Sequence, residues 1–210
     1  MKEFFKNKVF KTLFRAVLVL VSVYFIFVGI RVFHLFKEDN TTLEVDKVLS
    51  ARISLVDVMG ENLPLNPKEK VDTTIAGVDS NTNGIRDDVE LAIFKKYPNS
   101  PKERAVLLQY ALAFQMSASQ SVLNEEIATA IVQQEDRAYL CVGSILHRDD
   151  EDPVVMEEYF KKTDEMRDFV NNLQFNTKER KDAQKEFYKK VRSYNSLPRT
   201  CDLDYLSLTN

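Results

Sequence analysis

The sequence predicts a mainly α-helical protein, a transmembrane helix near the N-terminus followed by a small helical bundle. Three observations predict it. Ala16 to Ile30 is an uncharged apolar run bracketed by Arg15 and Arg31. Beyond residue 86, five stretches in turn place apolar residues at helical spacing between cap and stop signals. The composition, 44% hydrophobic and 29% charged with only 5 Gly and 6 Pro, is too apolar for disorder and too poor in punctuating residues for a loop-built fold. A chain of 210 residues allows one ordinary domain plus an extension.

The apolar run is shorter than the ~20 residues that span hydrocarbon. Leu13 and Phe14 before it and Val32, Phe33, Leu35 and Phe36 after it lengthen it, and both arginines can snorkel, so the expected anchor covers residues 12–34. A cleaved signal peptide is the rival, but the residues that follow, Gly29-Ile30-Arg31-Val32-Phe33, are bulky and offer no small-x-small site. Residues 1–11 form a basic tail with Lys2, Lys6, Lys8 and Lys11 against Glu3, whereas Arg31 and Lys37 are balanced by Glu38 and Asp39. The positive-inside rule keeps that tail cytoplasmic and sends residues 38–210 to a periplasmic or extracellular side. The charge split agrees in kind: residues 1–37 are strongly basic, and residues 38–210 hold 22 basic and 31 acidic residues.

Residues 35–78 read as a linker with one uncertain element. Val45, Val48, Leu49, Arg52, Ile53, Val56 and Met59 recur at helical spacing, yet Ile53 to Val58 suits a strand equally well. Residues 79–210 read as the helical domain. Asp87–Tyr97 runs from acids to Lys95-Lys96 and stops at Pro98, the charge order that a helix dipole favours. Ser100-Pro101-Lys102-Glu103 caps a helix reaching Ser119, and Glu125–Ile145 forms the next. Asp152-Pro153 opens a fourth, with Val155, Met156, Tyr159, Phe160, Met166, Phe169, Val170 and Leu173 on one face. Asn176 to Glu179 caps a fifth that turns Ala183, Phe187, Val191 and Tyr194 inward and ends by Pro198. At this period the aromatic and Met stripes are core positions rather than a cofactor site.

One stretch carries chemistry. Asp79 to Glu90 (DSNTNGIRDDVE) matches the twelve-residue calcium-loop pattern D-x-[DN]-x-[DN]-G-x5-E. Calcium is a hard cation that takes six to eight oxygens, and alternate side chains converge as the chain wraps it. The expected ligands are Asp79, Asn81, Asn83, the Ile85 carbonyl, Asp87 and Glu90, with Gly84 supplying the sharp bend. Chance gives such a match on the order of 10⁻³ times in a chain of this length. A plainer alternative stands beside it: Asp87-Asp88-Val89-Glu90 is a helix-capping pattern and Asn81-Thr82-Asn83-Gly84 an ordinary turn, which leaves Asp79 and Asn81 unexplained.

The stretch resembles thrombospondin type 3 and EF-hand-like loops, D-x-[DN]-x-[DN]-G-[IV]-x-D, through Asp79, Asn81, Asn83, Gly84, Ile85 and Asp87. The resemblance implies calcium ligation by those residues, with Glu90 matching the EF-hand end, and hence one EF-hand-like calcium loop in the fold. Two departures argue against a paired sensor lobe. Arg86 replaces the apolar residue through which two loops pair, and Asp72 to Gly77 is a poor incoming helix. The wider context, Gly77-Val78-Asp79-Ser80 through Glu90 and then Tyr97-Pro98-Asn99-Ser100, is similar to uncharacterised bacterial envelope proteins over a minor part of the chain, and implies no activity.

Cys141 and Cys201 are the only cysteines, both on the exported side, where a disulfide persists. Such a bridge would staple the C-terminal tail to a helix; a reactive thiol pair or half a metal site is the alternative. His34 borders the span, and His147 sits in an acidic connector that reads as solvated. No P-loop, G-x-G-x-x-G, G-x-S-x-G or H-E-x-x-H is present, so no catalytic or cofactor-binding residue is assigned. The acidic exported part would repel nucleic acid. The expectation is therefore a membrane-anchored interaction or envelope-structural module with a calcium ion and an unidentified protein partner. A tethered hydrolase using unrecognised carboxylates, or an inhibitor or immunity-type protein with an acidic docking surface, is the alternative.

Overall fold

A computed structural model describes residues 8–68, 71–120, 124–149, 151–198 and 200–208. Seven α-helices and a closing 3₁₀ turn account for the regular structure, and no strand occurs among the described residues. The chain divides into two compact units, Met1–Glu44 and Val45–Asn210. Lys2, Glu3 and Lys6 of the basic tail lie outside the described residues.

Helix α1 (Lys8–Ser50) covers the whole of the first unit that is described. From Phe10 onward it is long and apolar enough to cross a membrane, with a mean hydropathy of 2.5 over its most apolar window and none of that window buried against protein. Side chains from Leu13 to Phe36 are exposed almost throughout, including Phe25, Phe27 and Phe33. Water penalises such a surface, and a lipid environment does not. The helix contains the whole of the expected 12–34 span and continues to Ser50, because nothing between Lys37 and Ser50 breaks it.

The second unit is built around α4 (Pro101–Ser119). Its sequence is apolar on nearly every side, and such a helix must be surrounded. It packs against α2 (Leu55–Met59), α3 (Asp87–Lys96), α5 (Glu125–Ser144), α6 (Pro153–Gln174) and α7 (Lys178–Tyr188). The caps at Ser100 and Asp152 follow the sequence, whereas Thr177 rather than Asn176 caps α7 and Asn124 caps α5. Ser100 Oγ accepts from Glu103 N, Asn124 Oδ1 from Ile127 N, Asp152 Oδ1 from Val154 N, and Thr177 Oγ1 from Arg180 N.

Between residues 50 and 55 the expected helix breaks. The Ile53 N–H donates to Asp202 Oδ2 at 3.1 Å instead of continuing a helical ladder, and Ser54 then starts α2 with a capping box to Asp57. The strand alternative for Ile53–Val58 does not occur. Helix α7 also ends earlier than its pattern predicts, at Tyr188: Val191 still packs beside Phe187, but Tyr194 is 40% exposed. In α6 the inward face holds from Met166 onward, whereas Phe160 is exposed.

The C-terminal tail is fastened twice. Cys141 on α5 and Cys201 form a disulfide. Next to it, Asp202, its side chain 1% exposed, pairs with Arg137, meets Arg52 Nε at 3.3 Å, and donates its backbone N–H to Gln109 Oε1 at 2.9 Å. Another buried acid, Glu135, accepts from Tyr188 Oη at 2.9 Å through one oxygen while the other has no hydrogen-bond partner. Burial pushes its carboxyl up to about 7.

Two outcomes follow from this packing. Replacing Cys141 and Cys201 together by Ser is expected to lower the unfolding free energy in urea by about 2–4 kcal/mol, the usual worth of closing a long loop; an unchanged midpoint under non-reducing conditions contradicts it. Folded Glu135 holds a proton between the ordinary pKa of 4.5 and about 7 that the unfolded chain has released. Its contribution is complete below pH 4.5 and is lost as pH rises through 7. Glu135→Gln should therefore match the parent near pH 4.5 and exceed its stability at pH 8 by at most a few kcal/mol. A difference that does not vary with pH excludes Glu135 as the titrating group.

Candidate metal-binding loop

The segment from Val78 to Glu90 runs through bends up to α3, and among the described residues no α-helix lies between Met59 and Asp87. It is therefore not one half of a helix–loop–helix pair. Its path is fixed by its own polar side chains. Asp79 accepts from the backbone N–H of Asn83 at 3.2 Å and of Gly84 at 2.9 Å. Asn83 Oδ1 accepts from Ile85 N at 2.9 Å, and Asp87 Oδ1 from Ser80 N at 2.9 Å. Asp87 N closes the loop onto Val78 O at 2.8 Å. Gly84 adopts φ +85°, a bend that strains residues with a Cβ, and a Cβ there would also have to displace the Leu112 Cδ1 methyl of α4, 2.6 Å away.

Glu90 projects back from the first turn of α3 and is fully buried. Its Oε2 accepts from the side-chain amides of both Asn81 and Asn83, each at 3.1 Å. Its Oε1 is buried without a partner, as is Oδ2 of Asp87, a residue only 1% exposed. Burial pushes the Glu90 carboxyl up to about 7, the Asp57 and Asp87 charges add to that rise, and the two amides oppose it. The Asp79 carboxyl is raised as well, mainly by burial and further by Asp87. The loop thus gathers acidic groups that burial and mutual repulsion disfavour as anions.

The expected ligand residues occupy different roles. Asp79, Asn81, Asn83, Asp87 and Glu90 are linked by hydrogen bonds directly or through the loop backbone. Ile85 is fully buried in the main core, so its side chain anchors the loop. The side chains do not form a ready cage of acids: among the described residues, no three His, Cys, Asp or Glu side chains gather closely enough to hold a metal ion. The amides of Asn81 and Asn83 turn their nitrogens, not their oxygens, toward Glu90. The donor chemistry nevertheless fits a hard cation, because two buried carboxylate oxygens have free lone pairs and the remaining donors are amide and carboxylate oxygens.

Two residues of this region escaped the loop pattern. Arg86, fully buried, grips Asp88 through Nε at 2.9 Å and Nη2 at 2.6 Å, and donates to the Gln174 and Leu173 carbonyls at the end of α6. A buried basic residue inside an acidic loop was the available signal; its distant partners were not visible in the sequence. Arg180 of α7 holds the turns that approach the loop by donating to the carbonyls of Val71, Thr74 and Ile75 at 2.8–3.1 Å and pairing with Asp72.

Three surface clefts can be described. A cavity of about 370 Å³ beside the α3–α4 turn is lined by Lys96, Tyr97, Lys102, Glu103 and Leu146, with a single carboxylate. In a second, of about 380 Å³, Glu125 is paired with Arg192 at 2.7 Å. In a third, of about 230 Å³, His147 lies near Glu158, which pairs with Lys162 at 2.8 Å. Compared with protein-family models, with curated proteins and with solved structures, the chain has no match.

Proposed function

We propose that the chain is a membrane-anchored, exported helical module whose loop 79–90 holds a structural calcium ion, and that it serves as an interaction or envelope-structural component. The observation that carries the calcium reading is the pair of buried carboxylate oxygens without partners, Asp87 Oδ2 and Glu90 Oε1, inside a loop of otherwise hydrogen-bonded oxygen ligands. A divalent cation relieves both the unpaired lone pairs and the repulsion among Asp79, Asp87 and Glu90. Asp79, Asn81, Asn83, Asp87 and Glu90 would hold it with the Ile85 carbonyl. The ion supplies charge neutralisation and order at the start of α3, not catalysis.

Magnitudes favour a structural ion over a switch. Extracellular calcium modules bind at about 10⁻⁴–10⁻³ M, and a concentration tenfold above the dissociation constant stabilises the bound fold by about 1.4 kcal/mol. Export follows from the basic residues ahead of the α1 apolar segment, the near-neutral stretch after it, and a disulfide that persists under oxidising conditions.

Millimolar calcium is expected to raise the Tm of the full chain in detergent by about 3–6 °C over the chelator control. Glu90→Gln should abolish that difference. Its chelator-state stability should hold, since the Gln oxygen still accepts from Asn81 and Asn83. Coincident melts of the parent with calcium and with chelator remove the calcium assignment. For orientation, a C-terminal reporter that works only outside the cytoplasm should be active; activity confined to a cytoplasm-dependent reporter reverses the topology.

A further inference from the structure

We infer that the main-chain carbonyl of Asn62, outside the twelve-residue loop, is a further ligand of this cation site, so that the ion ties the segment after α2 to the start of α3. The inference rests on the calcium assignment and extends it to a residue that the loop pattern does not contain. Asn81 Nδ2 lies 2.8 Å from the Asn62 carbonyl oxygen and 3.1 Å from Glu90 Oε2, and Asn83 Nδ2 lies 3.1 Å from that same Oε2. One amide nitrogen therefore stands between a main-chain carbonyl and a buried carboxylate, and both oxygens converge on it.

An amide N–H is a partial positive charge, a weak stand-in for an ion beside an acid with no exposed surface. It leaves Glu90 Oε1 without a partner. Half a turn of the Asn81 and Asn83 amides exchanges nitrogen for oxygen, and at Asn83 it gives up the bond that Oδ1 accepts from Ile85 N. The Asn62, Asn81, Asn83 and Glu90 oxygens would then face one another with no donor among them, an arrangement that suits a hard cation. Asn62 is delivered to this place by the turn that ends α2. Gly60 sits at φ +77°, and a Cβ there would meet the Phe94 ring of α3 at 2.8 Å, so the turn is pressed against the helix that bears Glu90. Gly60 and Glu61 both donate to the Val56 carbonyl and fix the direction in which the chain leaves.

The segment that follows has little else to hold it. Between Glu61 and Asn66 only Pro64 is buried, while Leu63 is 41% and Leu65 86% exposed. Its attachment to the body of the domain near the loop runs through the Asn62 carbonyl. Cation binding should accordingly order residues 61–66.

The test is a calcium chloride titration of the full, isotopically labelled chain in detergent micelles, followed by carbonyl ¹³C and backbone ¹⁵N resonances. The Ile85 carbonyl, a ligand of the loop itself, and the Asn62 carbonyl are expected to shift downfield on one saturation curve while the Val56 carbonyl stays in place. The ¹⁵N heteronuclear NOE of Asn62, Leu63 and Leu65 should rise with it. Movement at Ile85 with a stationary Asn62 overturns the Asn62 assignment and leaves the calcium loop intact. No movement at either removes the calcium assignment and this inference with it.

Discussion

A helix buried on nearly every side must find a partner within the protein for each polar side chain it carries, and for the long polar side chains of α4 that constraint organises the second unit. Arg104 donates to the carbonyls of Val58, Tyr97 and Pro98. Gln109 donates to the Thr200 carbonyl at 2.7 Å and accepts from Asp202 N, and Gln115 donates to the Ala76 carbonyl at 2.7 Å. Each of these partners lies outside the regular helices, or at their ends. The central helix thus supplies apolar surface to its neighbours and hydrogen bonds to the connections, and both the approach to the loop and the C-terminal tail are positioned by it. Removing one such donor would leave carbonyls unsatisfied in the interior, which costs more than the bond itself contributes.

The loop 78–90 shows the opposite condition. Its backbone is well satisfied, but its acids are not: two carboxylate oxygens lack partners, and the one basic residue in the stretch, Arg86, is committed elsewhere. Had the guanidinium turned toward Glu90 or Asp87, the loop would have been neutralised from within. Its engagement with Asp88 and the end of α6 leaves the inner acids to amide donors alone. A buried ion pair would have been self-sufficient; a buried acid held by neutral amides is a site whose charge is still open.

How much of this was legible in the sequence varies with the range of the interaction. The starts of the helices after residue 86 were, and so were the caps Ser100 and Asp152, because these side chains act on backbone within three residues of themselves, whereas the cap of α7 falls on Thr177, one residue after the expected Asn176. The disulfide was foreseen because only one pairing of two cysteines exists. The break after Ser50 was not, since the competing acceptor for Ile53 N is Asp202, 149 residues away. The early end of α7 was likewise hidden, because the apolar spacing continues through Val191 and Tyr194 although the helix does not. In the loop, the spacing gave the membership of Asp79, Asn81, Asn83, Asp87 and Glu90. Their present orientation, with amide nitrogens toward Glu90, depends on Asn62, which no local pattern includes.

The choice of amides over acids at positions 81 and 83 gives the loop its particular balance. Carboxylates there would add negative charge beside Glu90 and remove both of its donors, so the cation-free loop would repel itself and α3 would lose its ordered start. With Asn at both places the same two side chains can donate when no ion is present and, after rotating, accept around one that is. Under the proposed calcium assignment, the cation-free loop is held by these amide donors alone, and the ion would add order at the start of α3 without deciding whether the domain folds at all. Arg86 confines that order to this chain, because the position through which paired loops communicate is spent on the carbonyls of α6. Any effect of occupancy must therefore pass into α3, α6 and the turn at Asn62, rather than into a second loop.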